Sequence, residues 1–321
     1  MILTGFGNGI NDSAWNAWVG NLRNANELLG LIHGTYGLGG TVAPLIASAM
    51  ITKLNLQWYT YYYIMVGLSV VEVITGLTSF WSATSEAYRK RHKLDDGRQP
   101  TSTAAVLRTP IPWLISIFLF GYVGAEVCLG GWIPTFMIEV RHASGWLAGV
   151  AVTCFWGGFT CGRVVLAFVT GRIGEKFAVV FYLTLSIILE FLYWKIPSTE
   201  ASMTCVILLG FCLGPLFPAA IVTMTKLLPA EQHVVSIGLT AAIGGSGSAV
   251  LPFVVGALAE DIGVKVLQPF VLVVLVILIS IWLTLPGGLK KGGLERARRE
   301  GAPVGGPLRS LGEWLRAKIT G

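Results

Sequence analysis

Asp12, His33, Glu126 and Arg163 stand inside long apolar runs of this 321-residue chain, where an ionisable group needs a reason to be. A charged side chain near the centre of a membrane helix costs at least about 2.5 to 3.5 kcal/mol on insertion scales, so such residues usually face a protein interior or a water-filled cavity. Asn8, Asp12 and Asn16 recur every four residues and therefore share one helix face, with Gly5 and Gly9 beside them. Tyr122, Glu126 and Gly130 share a face of the run 117–139, and Gly130, Gly131 and Pro134 are expected to weaken the helix just beyond the carboxylate. His33 and Tyr36 lie on one side of a glycine-rich run; Arg163 follows Gly162, and Arg172 closes the same segment. The chemistry on offer is uptake and release of a proton at a carboxylate, and hydrogen bonding of a polar molecule by amide, imidazole and phenol groups. The structural alternative for Glu126 is an interhelical hydrogen bond or a local ion pair. For His33 an interhelical hydrogen bond stands level with a solute or proton contact. Arg163 is expected to snorkel to the near interface, pairing with a carboxylate being its second option.

Composition fixes what carries these residues. The chain is 54% hydrophobic and 12% charged with a mean hydropathy of +0.69, against about a quarter charged in soluble domains. Apolar stretches of membrane length recur along it, which makes it a multi-pass membrane protein. The net charge of +6 falls in connections and in the tail, so it serves orientation and excludes a nucleic-acid partner. Cys128, Cys154, Cys161, Cys205 and Cys212 lie within apolar spans with no metal-ligand spacing. No nucleophile–base pair, metal cluster or phosphate loop has usable spacing, so an enzyme is not expected and no cofactor is implied.

The elements that must position the polar residues are spans at 1–20, 28–51, 60–83, 111–138, 146–170, 175–195, 201–228, 234–259 and 266–286. They divide into a partial first bundle (1–84), a linker (85–108), a six-span bundle (109–286) and a basic tail (287–321). Of the 23 Lys and Arg residues, 18 fall on the side of the linker and tail and 4 on the other, which places the C-terminus in the cytoplasm. The plasma membrane is the favoured location, an internal membrane the alternative. Residues 30–50 align without a gap on 238–258 and match at Gly30, Leu31, Gly37, Gly39, Val42, Pro44 and Ala49. The first three spans thus repeat the last three, and the expectation is a 6+6 inverted-repeat architecture represented from its fourth helix to its twelfth.

The motifs then acquire a family. Gly7-x-Gly9-x-x-Asp12-x-x-x-Asn16, followed by Leu31-x-His33-x-x-Tyr36-x-x-Gly39, is similar to the fourth and fifth helices of the fucose-permease branch of the major facilitator superfamily. Phe120-Gly-Tyr-Val-Gly-Ala-Glu126-x-x-x-Gly-Gly-Trp132 resembles the seventh helix of its fungal group. Gly162-Arg163 with Arg172-x-Gly174 resembles the second-half copy of the superfamily's cytoplasmic loop motif, whose role is gating. The acid is Asp12 where the bacterial permease has Glu, and His33 stands where the family has Gln. An all-α helical bundle of about nine membrane helices is the expected fold. The resemblance implies proton-coupled movement of a small polar solute, sugar-like or other, by alternating access, with the proton gradient as driving ion. The expected roles are proton coupling at Asp12 and Glu126, solute binding at Asn8, Asn16, His33, Tyr36 and Tyr122, and gating at Arg163, Arg172, Gly130 and Gly131. The expected surroundings are a lipid bilayer and a small-molecule solute, with a monomer if the chain is complete. Efflux of an amphipathic metabolite and a truncated, non-transporting membrane protein are the two other readings.

Overall fold

The computed structural model describes residues 2–20, 22–52, 54–84, 86–87, 103–302 and 304–305; the side chains of a few helical residues, Asn8 among them, lie outside the described set. Most of the expected linker and the last 16 residues of the tail lie outside it as well. All regular structure among the described residues is helical. The chain runs through α1 (Ile2–Gly20), α2 (Ala25–Thr52), α3 (Thr60–Phe80), a short α4 (Thr103–Leu107), α5 (Pro110–Glu139) and α6 (Gly145–Ile173). It continues through α7 (Glu175–Lys195), α8 (Thr199–Leu213), α9 (Leu216–Leu227), α10 (His233–Ile262), α11 (Leu267–Thr284) and α12 (Gly293–Glu300). Seven segments among the described residues are long and apolar enough to cross a bilayer: α3, α5, α6, α7, the α8–α9 pair, α10 and α11. Helices α1 and α2, of 19 and 28 residues, are about 28 and 42 Å long at about 1.5 Å per residue and carry much of the polar site. Each expected span is therefore helical.

Local chemistry accounts for the ends. Ser144 and Ser198 cap α6 and α8, their hydroxyl oxygens accepting from the Leu147 and Ala201 amides at 3.3 Å. Pro110 opens α5, where its missing N–H has no helical partner to lose. Gly174 (φ 97°) turns α6 sharply into α7, a left-handed backbone that a side chain would strain. The span expected at 201–228 is two helices, α8 and α9, interrupted at Gly214 and Pro215. Pro134 and Pro252 sit within α5 and α10, which remain helical past them. The expected weakening of α5 beyond Glu126 is thus corrected: Gly130, Gly131 and Pro134 lie in unbroken helix.

The chain forms two compact units. The first, Met1–Leu38 with Thr103–Gly321, contains the six-span bundle: α5 packs on α6, α10 and α11, α6 on α8, α7 on α8 and α11, and α1 on α10. Its interior holds Ile115, Phe118, Leu119, Leu129, Phe155, Phe159, Leu209, Leu275 and Trp282. Phe118 and Trp282 lie with ring centres 4.8 Å apart, and the Trp282 indole donates to the Lys176 carbonyl at 3.2 Å. Phe253, Val273 and Ile277 are exposed on the outside, as a lipid-facing surface requires. The second unit, Gly39–Ser102, holds the remainder of α2 and all of α3. None of the 21 residues of α3 is buried, and its approach carries a Trp58–Tyr59–Tyr63 aromatic series in edge contacts near 6 Å.

Candidate functional site

The site lies wholly within the first unit. It begins on α1, where Asp12 and Asn16 are one turn apart. The Asn16 amide nitrogen donates to the Asp12 carbonyl at 2.8 Å and to Asp12 Oδ1 at 2.9 Å. With its nitrogen committed there, Asn16 turns Oδ1 toward His33 of α2, whose Nε2 is 2.9 Å away. An amide oxygen only accepts, so His33 Nε2 carries the proton of this bond. Asn16 and His33 are both buried, and the His33 ring leans on Phe217 of α9 with centres 4.8 Å apart.

From His33 the network continues through the backbone to Arg163 of α6. Arg163 Nη1 donates to the His33 carbonyl at 3.1 Å, Nε to the Gly214 carbonyl at 3.2 Å, and Nη2 to Glu126 Oε2 on α5 at 3.4 Å. The side chains of Arg163 and Glu126 are only 3% and 5% exposed. The guanidinium carbon is 4.1 Å from the centre of the Phe159 ring and 5.4 Å from that of Tyr36. The Gly214 contact follows from sequence. In a continuous helix that carbonyl would accept from the residue four positions on, which is Pro218 and has no N–H, so the oxygen is free for Arg163. One expectation is overturned here. Arg163 does not snorkel to an interface but pairs with Glu126, and each supplies the counter-charge that a buried partner needs.

A close approach of α2 to α6 makes this possible. A Cβ at Gly34 would stand 2.7 Å from Val164, one at Gly37 2.5 Å from the Thr160 hydroxyl, and one at Gly30 2.7 Å from the Arg163 carbonyl as well as against Ala167. These glycines at i, i+4 and i+7 form a flat stripe on α2 that lets the His33 backbone reach Arg163.

The remaining sequence candidates divide. Tyr122, one turn before Glu126, is fully buried and its hydroxyl has no hydrogen-bond partner among the described residues. Tyr36 is exposed at the edge of the Arg163 cluster. Gly130 faces the Trp156 ring, which a Cβ would meet at 2.7 Å, whereas Gly131 faces open space. Arg172 is exposed in the last turn of α6, away from this cluster. The Asn8 side chain lies outside the described residues.

A second polar cluster was not anticipated. Glu175, at the start of α7, accepts from Asn26 Nδ2 at 2.6 Å and from Lys226 Nζ at 2.9 Å, and Lys226 also reaches Glu295 on α12 at 3.0 Å. Lys176 donates to the Gly287 carbonyl at 2.6 Å and to that of Leu285. Its one sequence signal is position: Glu175 and Lys176 directly follow the Arg172-x-Gly174 motif.

A helical bundle with a buried acid–arginine pair and a hydrogen-bonded polar chain between helices defines a multi-pass, all-α membrane protein of transporter architecture. The family model of the Major Facilitator Superfamily matches residues 1–207 and 147–319, and the chain belongs to that superfamily. It is 30% identical over 320 residues to the Saccharomyces cerevisiae protein called bypass of stop codon protein 6, covering 91% of this chain and 64% of that one. It is 23% identical over 260 residues to the glucose/mannose transporter GlcP of Bacillus subtilis, covering 79% and 63%. The chain thus spans slightly less than two thirds of the length of these curated relatives. Among solved structures it is similar to the superfamily transporter FucP in the outward conformation. The TM-score is 0.64 at 13% identity, over 84% of this chain and 71% of that one, a likeness of fold.

Proposed function

We propose that the chain moves a small polar solute, of the sugar class, across a membrane by alternating access, with the proton as driving ion. The observation that carries this reading is the continuous hydrogen-bonded polar path from Asp12 through Asn16 and His33 to Arg163 and Glu126. In it a carboxylate at a half-buried position is linked to hydrogen-bonding groups suited to hydroxyls. GlcP, a sugar transporter by name, supports the solute class. Asp12 exchanges the proton; Asn16, His33 and Tyr36 meet the solute; Arg163 and Glu126 form the charge pair that opens and closes with the cycle. The basic tail lies in the cytoplasm, the protein works in the plasma membrane, and it acts as a monomer if the chain is complete.

Uptake of labelled hexoses into proteoliposomes, with and without an inward proton gradient, tests this. The expected result is gradient-driven accumulation in the parent protein that becomes independent of pH in Asp12→Asn. Normal proton-dependent uptake by Asp12→Asn would end its coupling role, and extrusion of the label would reverse the direction.

A further inference from the structure

Away from the Arg163 pair, the interior of the six-span bundle holds a group of polar side chains with no use in the scheme above. Ser186, Glu190 and Tyr193 lie at i, i+4 and i+7 of α7 and therefore on one face. Gln268, in the first turn of α11, comes from a helix packed against α7. All four residues are fully buried, with relative exposure of 0%. The Ser186 hydroxyl, both Glu190 carboxyl oxygens, the Tyr193 hydroxyl and both ends of the Gln268 amide have no hydrogen-bond partner among the described residues. These six atoms are more than half of the eleven buried polar side-chain atoms left unsatisfied among the described residues, where most buried polar groups are paired. The Tyr193 phenol approaches Gln268 and lies within Coulombic reach of Glu190.

The surroundings decide what such a group can hold. The titratable groups facing Glu190 are Tyr193 on its own helix and Cys205 on α8; α11 contributes the neutral Gln268. Arg141, whose guanidinium lies by Tyr193, is committed elsewhere. It donates to Ser202 Oγ at 3.0 Å and to the Tyr193 carbonyl, and its guanidinium carbon is 5.0 Å from the Phe136 ring centre and 6.0 Å from that of Tyr193. A carboxylate in an apolar interior needs a counter-charge, and no described side chain provides one. The available ligating atoms are oxygens: two from carboxyl, one from amide and two from hydroxyl, the donor set that suits a hard cation.

We propose that Glu190, with Ser186, Tyr193 and Gln268, forms a cation site inside the six-span bundle, separate from the Arg163–Glu126 pair, that takes one monovalent positive charge from solution as a proton or a sodium ion. The site is independent of whether the chain carries a sugar. A proton would neutralise Glu190 and give it one O–H to donate to a neighbouring oxygen, whereas a sodium ion would neutralise it while being ligated by the carboxyl, amide and hydroxyl oxygens.

Infrared difference spectroscopy on the full chain in lipid nanodiscs tests this, comparing sodium chloride with choline chloride and titrating pH in each. A protonated-carboxyl band lost in Glu190→Gln, shifted in Tyr193→Phe and indifferent to sodium identifies the proton. A carboxylate band that moves on replacing choline by sodium, and only with Glu190 present, identifies sodium. Spectra of the parent protein that respond to neither ion, or whose responses persist unchanged in Glu190→Gln, overturn the site. Should Glu190→Gln fail to fold, Gln268→Leu is expected to shift the same band, and absence of that shift in a folded variant counts equally against it.

Discussion

Arg163 is the residue on which the site depends, because it holds three elements by different atoms: α2 through the His33 carbonyl, the α8–α9 break through that of Gly214, and α5 through Glu126. Removing it leaves Glu126 buried without a counter-charge. Arg163→Met is expected to destabilise the protein by roughly 3 to 5 kcal/mol, the usual cost of breaking a buried pair from one side. Thermal unfolding in detergent checks this, and Arg163→Met combined with Glu126→Gln should recover a large part of the loss. Asn16→Leu removes a smaller link. It deprives His33 Nε2 of its acceptor, a loss of about 1 to 3 kcal/mol for an unsatisfied buried donor. The sequence revealed that Glu126 and Arg163 needed explanation but did not join them. Helical periodicity assigns residues to a face of their own helix, whereas which faces meet is settled by packing between helices 37 residues apart in the chain. Glu190 carried the same signal as Glu126, a lone acid in an apolar run, and differs in having neither glycines nor a family motif beside it.

At the scale of elements, the glycine stripe on α2 sets how near that helix comes to α6. Gly30→Leu must displace the Ala167 and Arg163 backbone region and is expected to cost about 1 to 3 kcal/mol or more by overpacking. It should also weaken the Arg163 contact to His33, so that a subsequent Glu126→Gln change has a smaller effect than in the parent. Gly131→Ala is the control: its Cβ meets nothing, and relief of glycine's helix penalty should raise stability by up to about 1 kcal/mol. A measured loss of stability in Gly131→Ala would show that the position needs glycine for movement rather than for space. Gly30, Gly34 and Gly37 belong to the glycine-rich run that the sequence shows beside His33 and Tyr36, and such a run allows close helix approach. Gly214, Pro215 and Pro218 mark the expected 201–228 span as one able to bend, but the depth of the α8–α9 break and the use made of its carbonyl depend on which side chain fills the gap.

At the scale of the molecule, the six-span bundle is fastened at one end by α12, an element that hydropathy could not find because it is short and highly charged. Its Glu295 lies outside the membrane spans. Partial burial pushes the Glu295 carboxyl upward, but backbone amides and the Lys226 ammonium outweigh that and hold it below the ordinary carboxylate range. A depressed acid of this kind stabilises its contact above its unfolded value, near 4.3, and the contribution fades as pH falls through the lower folded value. The mobility of a spin label introduced by Arg299→Cys in a cysteine-free background should therefore rise under acid conditions. In Glu295→Gln it should already be high at neutral pH and show little further change. The membrane class and the helical spans followed from composition and hydropathy, as the superfamily match bears out. The charged fastening did not, because Asn26, Glu175, Lys226 and Glu295 are scattered over 269 positions with no spacing rule to connect them.

The missing amide hydrogen of Pro218 has a mechanical consequence. The oxygen it leaves on Gly214 lies at the elbow between α8 and α9, and Arg163 hangs from that oxygen by Nε. Any swing of one half of this span against the other carries the oxygen with it and tilts the guanidinium plane that faces Glu126. The elbow and the charge pair are therefore geared together, and a change in the angle of a helix is felt as a change in the bonding of a carboxylate two helices away.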